Sequence, residues 1–168
     1  MKADSARRVF SALSTAEVRF VIVGGLAVNV YGYLRLTLDI DLVVQLVPDN
    51  IRRTFDALAS AGYRPTVPVT AEQFADAAQR ETWIREKGMR VLRFHSDDHP
   101  QTPVDLFVEE PFVFNEEYER ATIGAAYGAT GLRVVALGTL RRMKQTAGRP
   151  QDILDLENLG LRPERDDD

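Results

Sequence analysis

Apolar positions along this chain change period from segment to segment, and the changes outline its elements. Val9, Phe10 and Leu13 recur at helical spacing after Asp4 or Ser5, either of which can cap a first helix. Phe20 to Val23 is a continuous apolar run stopped by Gly24-Gly25, the pattern of a buried central strand. Leu26, Ala27, Val30 and Tyr31 return to helical spacing, and Gly32 ends that short segment. Over residues 38–45 the period becomes two. Leu38, Ile40, Leu42 and Val44 share one face of a strand, and Asp39 and Asp41 share the other.

Pro48-Asp49 then opens a helix carrying Ile51, Phe55 and Leu58, with Gly62 where a C-terminal cap belongs. Thr70 followed by Gln73 is a capping-box pattern for a helix running through Arg80. Residues 89–94 and 103–108 read as two further strands, and the polar segment HSDDHPQT between them suits antiparallel neighbours. The glycine-rich stretch 122–135 is read as a short hairpin. Two helices close the chain, at 138–146 and 150–159, with Pro150 at a first helical position. The expectation is one α+β domain over residues 1–160, a mixed β-sheet with flanking helices and a short helical C-terminal part. Residues 161–168 are read as a frayed acidic tail.

At 168 residues and 45% apolar, the chain is ordinary for one domain with one core. It has no cysteine, which excludes disulfides and thiolate metal sites, and its two histidines, His95 and His99, are read as surface residues. No apolar stretch approaches the roughly 20 residues of a membrane span, and MKADSARRVF lacks the apolar run of a secretory signal. The expected location is the cytoplasm. Net charge is −4, with three acids in the terminal run Asp166–Asp168, a balance that argues against a whole-surface nucleic-acid binder. It leaves room for a local basic patch at Arg141, Arg142, Lys144 and Arg149. Trp83, Phe94, Phe107, Phe112 and Phe114 are read as core, since no basic residues interleave them.

The candidate chemistry lies in acids on strands. Asp39 and Asp41 project from one face roughly 6–7 Å apart. Asp105, between Val104 and Leu106 on another strand, is placed to complete a site. Magnesium or manganese takes oxygen ligands of this kind and keeps places for water and substrate phosphates. Two such ions can hold the attacking and leaving oxygens of a phosphoryl-type transfer. Taken alone, Asp-x-Asp also describes solvated acids on a half-exposed strand. Gly24-Gly25 after a buried strand adds a place where backbone N–H groups can approach a phosphate at a helix start, although a tight turn would need the same glycines.

Together these residues resemble the DNA polymerase β-like nucleotidyltransferase superfamily. The shared pattern is Val23-Gly24-Gly25, then Leu38-Asp39-Ile40-Asp41-Leu42, then Val104-Asp105-Leu106, in that order. A narrower likeness runs through Gly25-Leu26-Ala27, Tyr31-Gly32, Arg35, Thr37 and the aspartates. It continues in the block from Lys144 to Asp152, followed by Asp155-Leu156. That pattern is similar to bacterial abortive-infection-type toxin nucleotidyltransferases. The resemblance implies a nucleoside triphosphate substrate, metal on Asp39, Asp41 and Asp105, and nucleotide contacts at Gly24, Gly25, Arg35 and Thr37, although Arg35 is read equally as neutralising the nearby aspartates. It further implies that Lys144 meets the phosphates, that Asp152 supports the site, and that Arg149 lies close by. An RNA 3′ end as acceptor and a cognate antitoxin as partner follow from the same likeness. Read without it, the late basic block is equally a solvated helix face. The competing functional reading is a non-catalytic nucleotide-binding or protein-interaction module of the same fold.

Overall fold

Every residue of the apolar run Phe20–Val23 (β1) is buried, and the strand has neighbours on both sides. The computed structural model describes residues 1–161; the expected acidic tail at 161–168 lies, from residue 162 on, outside the described residues. The remaining strands are β2 (Ile40–Val44), β3 (Arg64–Pro65), β4 (Val91–His95), β5 (Val104–Phe107), β6 (Thr122–Ala126) and β7 (Ala129–Val134). Among the described residues they form one sheet in the order β3-β4-β5-β2-β1-β7-β6. It is mixed. β1 runs antiparallel to β2 and parallel to β7, while β2 runs parallel to β5.

The helices are α1 (Ala3–Thr15), α2 (Gly24–Val30), α3 (Pro48–Ser60), α4 (Ala71–Ala75), α5 (Ala77–Lys87), α6 (Phe114–Arg120), α7 (Leu137–Ala147) and α8 (Pro150–Asn158). The apolar stripe of α1 buries Val9, Phe10 and Leu13, and Phe10 stacks on Phe20 of β1 with ring centroids 6.4 Å apart. Phe55 of α3 meets Phe74 of α4 at 5.6 Å and Phe94 of β4 at 5.1 Å. Fully burying a side chain of this size contributes about 1.5–3 kcal/mol.

Buried polar groups fix the joints that position the site. Asn50 of α3 accepts from the Arg19 N–H at 2.8 Å and donates to the carbonyls of Arg19 and Gln45, each at 3.0 Å. One amide thereby ties α3 to the residues flanking β1 and β2. Glu117 of α6, fully buried, accepts from the Ala136 N–H at 2.7 Å and the Thr139 hydroxyl at 2.8 Å. It satisfies the start of α7, which has no side-chain cap of its own.

Several expectations change. α1 begins at Ala3 without a side-chain cap, and Ser5 is instead buried, sharing a hydrogen bond with His99 Nδ1 at 2.9 Å. His99, its ring stacked 5.8 Å from that of Tyr63, is thus a half-buried packing residue rather than a surface one. β2 starts only at Ile40; Leu38 lies ahead of it in a segment outside the sheet and is 61% exposed. The Thr70–Gln73 capping box is present, but the helix does not run through to Arg80. Asp76 interrupts it in an extended conformation and caps a second helix by accepting from the Ala78 and Gln79 N–H groups. α6 and β3 were not expected at all. No described helix is long and apolar enough to cross a membrane.

Candidate active site

Strand register brings the acids together. Asp41 pairs with Val23 of β1 on one side and with Asp105 of β5 on the other, so two of the three carboxylates sit side by side on neighbouring strands. Asp39 lies one residue ahead of β2. Asp105 is buried, and the other two are half-buried.

The glycine pair at the β1–α2 junction explains how Asp41 fits. Gly24 has φ +67°, and a Cβ there would lie 2.2 Å from Asp41 Oδ2. At Gly25 a Cβ would lie 2.6 Å from Thr37 Oγ1 and 3.0 Å from Arg35 Nη2. At both glycines the side-chain position is taken by this chain's own Asp41, Thr37 and Arg35. Packing there is costly to the carboxylate. Burial raises the Asp41 pKa from 3.8 to about 6, helped by repulsion from Asp105 and Asp39 and only partly offset by Lys144 and Arg149.

A residue that sequence reasoning missed occupies the other side. Arg93 stands on β4 opposite Asp105. Its Nε donates to Asp105 Oδ1 at 2.8 Å and its Nη2 to Asp105 Oδ2 at 2.8 Å, and the same Nη2 reaches Asp39 Oδ2 at 3.0 Å. The hydrogen bonds to Asp105, opposed by partial burial, hold the guanidinium more firmly protonated than usual. Its signal in the sequence was a single polar position between Leu92 and Phe94. Among the described residues no three acidic or histidine side chains are gathered to hold one ion as they stand, and Arg93 lies between Asp39 and Asp105. The donor chemistry nevertheless fits a hard divalent cation: three carboxylates, oxygen only, with Asp41 raised above the usual carboxylate range by burial and then by its acidic neighbours.

The remaining predicted residues form a second cluster. Lys144, only 6% exposed, donates to Asp152 Oδ1 at 2.9 Å and Asp155 Oδ2 at 2.6 Å. Arg149 Nε donates to Asp152 Oδ2 at 2.9 Å. Arg35 forks onto Asp155 at 2.7 and 2.9 Å, so it neutralises α8 and not the Asp39–Asp41 pair. Thr37 Oγ1 donates to the Asp39 carbonyl at 3.4 Å. Burial pushes the Asp152 and Asp155 carboxyls up, but hydrogen bonds from Arg149 and Lys144 to the first, and from Arg35, Lys144 and Gln151 to the second, hold both below the usual value. Asp155 is the hub of this cluster, although in the sequence it stood out only as a place in a motif. Both Lys144 and Arg149 act on the charge of Asp41, so the two clusters adjoin.

An open groove of about 900 Å³ between α1 and α3, lined by Arg7, Ser11, Asp56 and His99 among others, touches none of the site acids. Its polar groups do not accompany the strand-borne carboxylates, and the chemistry is assigned to the latter.

No family model matches the chain, and no curated protein matches it in sequence. Solved structures do. The chain is similar to the solution structure of antibiotic-resistance factor ANT(2″)-Ia, with TM-score 0.58 and 13% identity, over 94% of this chain and 80% of that one. It is similar as well to the crystal structure of ANT(2″)-Ia in complex with adenylyl-2″-tobramycin, with TM-score 0.60 and 13% identity, over 94% of this chain and 86% of that one. The chain therefore has an α+β fold with a mixed seven-stranded sheet, consistent with a nucleotidyltransferase fold. That likeness reaches the architecture, and nothing in it singles out the toxin-type group.

Proposed function

We propose that this protein is a metal-dependent nucleotidyltransferase that moves a nucleoside monophosphate from a nucleoside triphosphate to an acceptor hydroxyl, releasing pyrophosphate. The observation that carries this reading is the Asp41–Asp105 pairing across β2 and β5, with Asp41 lodged against Gly24 and Asp39 beside it. Asp39, Asp41 and Asp105 would hold magnesium or manganese, which when bound supplies positive charge to the triphosphate oxygens. Asp105 is the acid placed to accept the acceptor's proton. Gly24, Gly25, Thr37 and Arg35 shape the nucleotide side of the site. There Arg149, its side chain 76% exposed, is better placed than the enclosed Lys144 to meet phosphate, and Lys144 and Asp152 serve as its support.

For the acceptor we favour a small hydroxylated molecule. The crystallised neighbour was captured with adenylyl-2″-tobramycin, an adenylylated small molecule. An RNA 3′ end drew its support from the toxin-type likeness and from Arg141, Arg142, Lys144 and Arg149. Of these, Lys144 is sealed between two aspartates, Arg149 bonds Asp152, and Arg142 bonds the Thr139 hydroxyl at 2.9 Å. The toxin role and its antitoxin partner rest on the sequence likeness alone, which the structural neighbours do not extend. The test is incubation with each labelled nucleoside triphosphate and magnesium in the presence of separated small-molecule, RNA and protein fractions of a cell extract. Label in the small-molecule fraction is expected. Label that is destroyed by nuclease would restore the RNA acceptor and overturn this choice.

The second reading, a non-catalytic nucleotide-binding module, is favoured by one observation, the hold of Arg93 on Asp39 and Asp105. Triphosphate binding without pyrophosphate release, across all acceptor fractions, would select it.

A further inference from the structure

Resting on the proposed metal-dependent transfer, we propose that Arg93 gates the metal site: its guanidinium stands in for the cation, and metal loads by displacing it from Asp39 and Asp105. The geometry is that of a substitute ion. One planar fork neutralises Asp105 through two bonds of 2.8 Å and spans to Asp39 at 3.0 Å, joining the two acids that flank Asp41. The bonds of Arg93 go to Asp105 and Asp39, which leaves Asp41 as the acid of the three that the guanidinium does not hold.

Burial makes the exchange obligatory. The Asp105 side chain is only 6% exposed, and removing its partner without a replacement would strand a charge in the interior. A divalent ion supplies that replacement. The movement asked of Arg93 is small, because its backbone is locked in register between β3 and β5 while its side chain is 46% exposed. The guanidinium end has solvent beside it to move into, so the fork can leave once a cation has taken over the buried charge of Asp105. The strand therefore stays in place and only the guanidinium leaves.

The experiment is titration of the nucleotide-free protein with manganese alone, reading free Mn²⁺ by electron paramagnetic resonance, in wild type, Arg93→Gln and Arg93→Lys. Losing the competing fork should tighten Mn²⁺ binding about tenfold in Arg93→Gln. Arg93→Lys keeps the charge but not the fork and should fall between it and wild type. Asp41→Asn, placed in each background, should remove the binding. Equal affinity in wild type and Arg93→Gln, with binding still lost on Asp41→Asn, would overturn the gate and leave the metal site standing. A tighter Gln variant beside a Lys variant equal to wild type would reveal a general charge effect and overturn it as well. Should Arg93→Gln fail to fold by thermal melting, Arg93→Lys decides alone, a wild-type affinity counting against the gate. Binding that ignores Asp41→Asn, or its absence from every variant at millimolar manganese, would sink both the gate and the metal reading.

Discussion

Replacing Gly24 with alanine isolates the contact on which the placement of Asp41 depends. At φ +67° an alanine sits in the left-handed region, a cost of about 1–2 kcal/mol. Its Cβ would also lie 2.2 Å from Asp41 Oδ2 and 2.9 Å from Asp41 Cβ, so the whole side chain has to move. Crowding of this kind adds about 1–3 kcal/mol. Gly88 supplies the control: it has φ +60° and nothing within 4 Å of its ideal Cβ, so Gly88→Ala carries the backbone cost alone. For a domain of this size, ~2–4 °C per kcal/mol puts Gly88→Ala about 5 °C below wild type and Gly24→Ala about 10 °C below. Thermal melting followed by circular dichroism measures both. Transfer should fall about 100-fold in Gly24→Ala, because a carboxylate displaced by an ångström no longer meets its partners in register. A Gly24→Ala protein that melts with Gly88→Ala and transfers at the wild-type rate would refute the close packing of Asp41 on Gly24.

Further outcomes follow from the two charge clusters. Asp41 has a pKa raised from 3.8 to about 6, so between those values the folded metal-free chain holds a proton that the unfolded chain has lost. Stability should therefore fall as pH rises through that window, by about 3 kcal/mol at most, and urea denaturation of Asp41→Asn should lack this fall. The lowered carboxyls of Asp152 and Asp155 act with the opposite sign: their contribution is present above the ordinary carboxylate range and is lost as pH falls below it. Lys144→Met should leave those two buried acids without their shared cation and cost about 3–5 kcal/mol in urea; a loss under about 1 kcal/mol would show that Lys144 is not structural. Millimolar magnesium should raise the melting temperature of wild type through linkage, and a melting temperature blind to the ion would count against clustered acids.

What the sequence disclosed follows from where each signal lives. Asp39, Asp41 and Asp105 were legible because strands alternate, and an acid breaking an apolar period stands out without any knowledge of pairing. Arg93 was not, because its meaning depends on the β4–β5 register, which brings residue 93 opposite residue 105 and cannot be read locally. Lys144 read as either a phosphate ligand or a solvated charge. Only the packing of α7 against α8 reveals that Asp152 and Asp155 enclose it. α6 escaped because FNEEYER has little apolar stripe. Its tertiary contacts hold it instead: Tyr118 lies between the guanidiniums of Arg19, at 4.4 Å, and Arg133, at 4.0 Å, and Glu117 is spent on the start of α7. The break at Asp76 was a second capping signal inside what looked like one helical stretch. Gly24-Gly25 was recognised as special for close approach, and the structure adds Asp41 as one group that approaches Gly24.

The central claim is that these acids form a metal-dependent transfer site. It is tested most directly by pyrophosphate release from each nucleoside triphosphate, with and without magnesium, in wild type, Asp39→Asn and Asp41→Asn, with small hydroxylated acceptors supplied from a cell extract. The account predicts release in wild type that requires magnesium, and none from either variant although both melt cooperatively as folded proteins. Release that continues without a divalent ion, or that survives Asp41→Asn unchanged, would contradict it.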